Sequence, residues 1–212
     1  MRKYLVLLLA LMLLCPVSAS ATGPKYIGLT FEGVPSGEAG RTLLDGLTQR
    51  KVRATFFLWA GPWEWGRRIL DSDHEIGLLV PESLNRMSRR EAAAKLRGVQ
   101  TLMPPCRIRY LFSPGGCSDG LRQVAAARGL SLLDTPFHPW TEAPGGKTLL
   151  ERLQTGDTLC LRAATPADVT LALNLIDLLQ AQGFRLVTAS ELGRLQRESF
   201  DSREFRRYNT SG

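Results

Sequence analysis

Residues 25–59, KYIGLTFEGVPSGEAGRTLLDGLTQRKVRATFFLW, decide the fold of this chain. An apolar run of strand length, Tyr26 to Phe31, gives way to a loop at Glu32, Gly33 and Pro35. A helical stretch follows, and a second strand-like run occupies Ala54 to Trp59. Two strands joined through a helix are parallel, because an antiparallel return needs only a short turn whereas a parallel one needs a crossover. Glu32 stands where the first strand ends, with a glycine rather than a second acid beside it.

The same alternation continues outward. Further strand-like runs lie at Glu75 to Leu79, Ile108 to Phe112, Leu130 to Leu133, Thr158 to Leu161 and Arg185 to Val187. Between them, Ser88 and Glu91 have the spacing of a capping box ahead of "AAAKL", and Pro166 opens the amphipathic run "ADVTLALNLIDLLQAQ", which Gly183 ends. Strands alternating with helices predict an α/β domain, either a closed or nearly closed (β/α) barrel or an open doubly wound sheet. In both, chemistry gathers at the carboxyl ends of the strands. Glu32, Trp59, the segment after Leu79, the "SPGG" turn at Ser113 to Gly116, the segment from Asp134 and Arg162 all stand at such ends.

The beginning of the chain reads as a secretory signal. Arg2 and Lys3 precede an apolar run from Leu5 to Leu14, Pro16 breaks it, and Ala19 to Ala21 supply small residues for cleavage. The run is shorter than the roughly 20 residues of a membrane span, so no membrane insertion is expected after cleavage. This predicts a signal at 1–21, one domain over 22–197 and a polar tail at 198–212 that frays beyond its first turn, in a periplasmic or secreted protein. The formal net charge of +7 is spread along the chain without interleaved aromatics, which fits a solvated face and no nucleic-acid partner. Cys106 and Cys117 flank a short segment and can pair, whereas Cys160, in "TLCLR", reads as a small buried hydrophobe.

On these residues the chain resembles the polysaccharide deacetylases, the NodB-homology or family 4 carbohydrate esterases. "LTFEGVP" and "VRATFF" are similar to the family's T-F-D-D-G-P and V-x-A-T-F-F, and "DHEIGLL" to its G-H-E-I-G-N-H. "FSPGG" resembles a shortened F-R-P-P-Y-G; "GDTLCLR" and "GFRLVTASEL" resemble the last motifs. The similarity runs from Lys25 to Leu192. It implies a distorted (β/α) barrel of about seven parallel strands, acting outside the cytoplasm on an acetylated glycan with the help of a metal ion.

Position by position, the resemblance also implies losses. Glu32 stands at the catalytic-base position, but Gly33 replaces the metal-binding acid, and Leu79 and Ser83 replace the metal-binding histidines. Arg162 takes the place of the catalytic histidine, Ser113 that of an arginine, and Pro139 about that of the orienting acid. Trp140 is kept, with His138 close before it. His74 belongs to the lead-in of its motif, which is not a ligand position.

These losses compound chemically. A catalytic metal lowers the pKa of its water from about 15.7 to about 7, whereas a general base alone contributes about 10² to 10⁴-fold. Zinc takes three or four protein ligands, and the chain has two histidines, His74 and His138. Arg162, permanently cationic, repels a metal and accepts no proton. No nucleophile elbow gives a serine hydrolase instead.

The expectation is therefore a glycan- or partner-binding protein with no cofactor, no metal and no catalytic residue, Glu32 being the one candidate if it is active. Glu32, Arg162, His138 and Trp140 are the expected ligand-binding residues: an acid and a guanidinium paired across the barrel mouth or contacting an anionic sugar, a histidine able to titrate, and an aromatic platform. A polysaccharide or oligosaccharide is the expected partner. The alternatives are a hydrolase built on Glu32 and a structural subunit that docks on an envelope protein.

Overall fold

The computed structural model describes residues 23–33, 37–59, 63–103, 105–133, 136, 138 and 146–209; of 63–64, 146–148 and 201–209 it describes the backbone alone. The order of elements is β1 (Lys25–Glu32), α1 (Gly37–Gln49), β2 (Thr55–Leu58), α2 (Trp63–Asp71), β3 (Glu75–Leu79), a 3₁₀ turn (Glu82–Arg86) and α3 (Arg89–Thr101). Then come β4 (Tyr110–Phe112), α4 (Asp119–Ala127), β5 (Ser131–Leu132), α5 (Gly146–Arg152), β6 (Thr158–Arg162), α6 (Pro166–Ala181), β7 (Phe184–Val187) and α7 (Ala189–Asn209). The expected signal lies outside the described residues. Among the described residues no helix is long and apolar enough to cross a membrane.

All seven strands pair in parallel, in the order β5-β4-β3-β2-β1-β6. The long strand β1 takes two partners on its second side: β7 along Lys25 to Gly28 and β6 along Gly28 to Glu32. From β1 to β5 each crossover steps in the same direction, the winding of a barrel; a doubly wound sheet would reverse direction. Among the described residues β5 and β6 are not paired, so the sheet is a curled half-barrel, which decides between the closed, nearly closed and doubly wound alternatives.

Strand periodicity divides this sheet into two faces. The outer face, with Ile27, Leu29 and Phe31 of β1, Phe56 of β2, Ile76 and Leu78 of β3 and Leu159 and Leu161 of β6, buries itself against Leu43 and Leu47 of α1, Leu96 of α3 and Ile176 and Leu179 of α6. Phe31 and Phe56 stack there with centroids 5.0 Å apart. The inner face is smaller: Phe57, Phe112 and Cys160 form a buried cluster, joined by half-buried Leu79, Tyr110 and Leu133. Gly77 makes room for it, since a Cβ there would lie 2.4 Å from the Phe57 ring.

The helix signals at Ser88, Pro166 and Gly183 act as expected, and the structure adds a cap at Thr165. Ser88 and Glu91 close a capping box on α3, and Thr165 with Asp168 closes another on α6, where Pro166 occupies the first turn. Each such cap is worth about 1 kcal/mol. Gly183, at φ +81°, turns the chain into β7.

Two expectations need adjusting, and the open question of a Cys106–Cys117 pair is answered. β4 and β5 are shorter than Ile108 to Phe112 and Leu130 to Leu133, because pairing at the open edge is confined to Leu78 and Leu79 with Leu111 and Phe112, and to Tyr110 and Leu111 with Ser131 and Leu132. The last helix does not fray after one turn but continues to Asn209. From Arg194 to Asn209 the sequence has no Gly, Pro or β-branched residue, and Arg194 and Glu198 form an i,i+4 ion pair at 2.6 Å. No disulfide forms among the described cysteines Cys106, Cys117 and Cys160.

Candidate functional site

The site lies at the carboxyl end of the strands, on the inner face. β1 and β6 run in register with Glu32 beside Arg162. Residues in register on parallel neighbours share a face, so the carboxylate and the guanidinium project together. Their closest atoms, Glu32 Oε2 and an Arg162 guanidinium nitrogen, are 3.8 Å apart. This is an ion pair at longer than hydrogen-bonding distance. The two groups stand side by side on adjacent strands rather than across the barrel mouth, because the register of β1 on β6 places their Cα atoms opposite each other. Arg162 keeps 54% of its side chain exposed and Glu32 21%.

His138 joins them from the segment beyond β5. Its ring stacks on Phe112 with centroids 5.9 Å apart. Burial pushes its pKa below the usual value; Glu32 opposes that shift and Arg162 adds to it, which places the imidazole within electrostatic reach of both. Three of the four expected ligand-binding residues are thus gathered at one place. Trp140, the fourth, and Pro139 lie outside the described residues.

Trp59, at the end of β2, and Trp65, on α2, are accounted for by packing. Trp59 and Trp65 lean on the main core, and the Arg68 guanidinium covers the Trp65 ring at 5.4 Å. Phe57 and Phe112, the apolar floor beneath His138 and Glu32, escaped the sequence reading. The signal was present: in "TFFL" adjacent phenylalanines must face opposite sides of the sheet, so one of them lines the interior. Asn85 escaped too. Its amide donates to Gly116 O at 2.8 Å and its carbonyl accepts from Ser118 N at 2.8 Å, tying the 3₁₀ turn to the loop after β4.

The positions that the resemblance assigns to a metal do not fit one. Gly33 has no side chain and sits at φ +78°, with its N–H donated to Phe57 O at 2.9 Å. Leu79 packs against the inner apolar cluster, and Ser83 is exposed on the 3₁₀ turn. Burial raises the Cys160 thiol to about 12, so it stays protonated and is no thiolate ligand. Arg162 adds a fixed positive charge where a cation would have to sit. Among the described residues no three His, Cys, Asp or Glu side chains come together. Ser113 is buried at 4% exposure with no partner for its hydroxyl among the described residues.

Comparison with known proteins agrees with this architecture. No protein-family model matches the chain. Over 190 residues it is 27% identical to the peptidoglycan-N-acetylmuramic acid deacetylase PdaC of Bacillus subtilis (strain 168), covering 82% of this chain and 40% of that protein. The chain therefore spans well under half the length of this relative. The solved structure of PdaC superposes with a TM-score of 0.74 at 25% identity, covering 88% of this chain and 98% of the solved one. BA3943 of Bacillus anthracis, described as a pseudoenzyme of carbohydrate esterase family 4, shares the fold with a TM-score of 0.67 at 21% identity, covering 80% of this chain and 66% of its own. The curled parallel half-barrel, the ordered motifs and these similarities together show a chain with the NodB-type fold that is similar to the polysaccharide deacetylases of carbohydrate esterase family 4.

Proposed function

We propose that this chain is an exported, non-catalytic member of the polysaccharide deacetylase superfamily that binds a glycan at the Glu32, His138 and Arg162 end of the half-barrel. One observation carries the reading: a glycine, a leucine and a serine stand where the resemblance places metal donors, and an arginine where it places the catalytic histidine. Without a metal the remaining carboxylate offers general-base assistance alone, far short of what amide or ester hydrolysis needs. The binding part rests on what is left, an acid, a cation and a histidine above the apolar floor of Phe57 and Phe112. A polysaccharide ligand is supported by PdaC, whose name gives peptidoglycan as its substrate. Export is supported by the signal-like residues 1–21.

The test has two arms. The purified protein is dialysed against zinc, cobalt and nickel and its metal content measured, and acetate release is followed from acetylated chitooligosaccharides and from peptidoglycan. The expected result is no stoichiometric metal and no turnover above the Glu32→Gln variant. A second reading, a hydrolase built on Glu32, draws on the proximity of His138 to that carboxylate; turnover that disappears in Glu32→Gln would establish it. A structural envelope subunit is the reading left if glycan arrays stay blank while a protein partner co-purifies.

A further inference from the structure

We infer that the chain has a second binding site, at the opposite end of the strands from Glu32, which takes a phosphate dianion, either free or as the terminal group of a monoester. The site is a cavity of about 500 Å³ between the α1–β2 connection and the turn from α6 into β7, a volume suited to a small molecule. Arg50, Lys51 and Arg53 line it ahead of β2, Gly183 to Val187 line it along β7, and Glu191 contributes from the start of α7. Four of these residues are cations, and two of them are matched by acids. Arg50 gives two hydrogen bonds to Asp177, each 2.7 Å, and another to Gly46 O. Arg53 gives one guanidinium nitrogen to Glu191 at 3.0 Å. Lys51 and Arg185 are exposed and have no such match. Among the described residues the Lys51 ammonium forms no ion pair or hydrogen bond, and the Arg185 guanidinium rests on the Tyr26 ring, 5.5 Å from its centroid, a contact that leaves its N–H donors open.

The backbone singles out Lys51 independently. Helices α1, α2 and α4 close with the same two bonds, one from a left-handed residue to the carbonyl three residues before it and one from the next residue to the carbonyl five before; α6 also ends on a left-handed residue. That residue is glycine at 129 and 183 and aspartate at 73, types that tolerate the conformation. At position 51 it is a lysine, with φ +54°. A lysine there costs stability that a glycine would not. The strain has a use if the ammonium is needed at the cavity.

Charge and shape choose the ligand. The two unmatched cations come from separate connections, so they meet an anion from different directions. A carboxylate offers two oxygens in one plane, which suit a single guanidinium fork, whereas a phosphate monoester offers three oxygens directed apart and a charge of about −1.5 to −2 at neutral pH. Lys51 and Arg185 balance that charge. Glu191 opposes it, since its carboxylate lines the same cavity and occupies part of Arg53.

Titration calorimetry of the purified protein at low ionic strength tests the site, with inorganic phosphate and glycerol 3-phosphate as probes and acetate as the carboxylate control. At least one phosphate is expected to bind about tenfold tighter than acetate, with the advantage shrinking in about 0.5 M NaCl. Tighter binding of glycerol 3-phosphate assigns the cavity to an ester, and equal binding to free phosphate. Lys51→Gly and Arg185→Gln are each expected to weaken phosphate binding about tenfold. Lys51→Gly is also expected to raise the thermal midpoint of the unliganded protein, a combination of signs that a merely structural lysine would not give. Glu191→Gln is expected to tighten phosphate binding. Phosphate that binds no better than acetate, or equally well when Lys51→Gly and Arg185→Gln are combined, overturns the inference. So does attachment to phosphatidylglycerol vesicles without binding of either soluble phosphate, which would make the cluster a general basic surface. Each of these outcomes is independent of whether the Glu32 end binds a glycan.

Discussion

His74 Nδ1 accepts a hydrogen bond from the backbone N–H of Ala54 at 3.2 Å, in a place where the imidazole is only 5% exposed and its Nε2 has no partner among the described residues. The bond requires the neutral ring. Burial accordingly lowers the pKa from 6.5 to about 4, with Arg53 adding to the shift and Asp73 opposing it.

The consequence is acid sensitivity. The unfolded chain takes up the His74 proton below about pH 6.5, whereas the folded chain refuses it until about pH 4. Stability is therefore expected to fall as pH drops through this window, by on the order of 3 kcal/mol once pH 4 is reached. Urea midpoints measured from pH 7.5 to 4 should decline in the native sequence and decline less in His74→Gln. Equal slopes would remove His74 as the cause.

Gly77→Ala is expected to destabilise by about 1 to 3 kcal/mol, since the new methyl would lie 2.4 Å from the Phe57 ring, itself 0% exposed and walled in by Phe112. Gly98→Ala, on the exposed side of α3 with nothing within 4 Å of its Cβ, should instead stabilise by up to about 1 kcal/mol. Thermal unfolding of the pair checks both signs, and a tolerated Gly77→Ala would mean that the inner cluster is looser than its geometry.

At the opposite end of the strands Glu75 holds β3 to the start of α7. Its carboxylate accepts from the Thr55 hydroxyl at 2.8 Å, from Ser190 N at 3.0 Å and from the Ser190 hydroxyl, while Thr55 Oγ1 accepts from Ala189 N at 2.9 Å. Glu75→Ala is expected to cost about 2 to 3 kcal/mol, and Glu75→Gln less, because the amide keeps an acceptor for the helix terminus. Chemical denaturation of the two variants would show the ranking; the reverse order would exclude the acceptor role.

Rebuilding the donors should restore metal binding. Gly33→Asp, Leu79→His and Ser83→His together are expected to take up about one zinc or cobalt per chain, with cobalt giving visible absorption bands. Asp is among the few residues that tolerate the left-handed conformation at position 33. A tightly held, stoichiometric ion in the unaltered protein would instead show that the donor argument is wrong.

Much of this protein was legible in its sequence because the relevant signals are local. A capping box spans four residues and strand alternation two, so the order of strands and helices, the cap at Ser88, the helix start at Pro166 and the turn at Gly183 could be read directly. So could the residues standing at the strand ends, and with them the missing donors, since no packing can give a glycine or a leucine a metal-binding atom. What depended on contacts between distant segments was decided only by tertiary structure. The register of β1 on β6 set Glu32 beside Arg162, the packing of Phe112 received His138, and, among the described residues, the lack of pairing between β5 and β6 left a half-barrel. Each of these is fixed by how the outer face of the sheet packs on its helices, a sum over many residues that no short stretch of sequence contains.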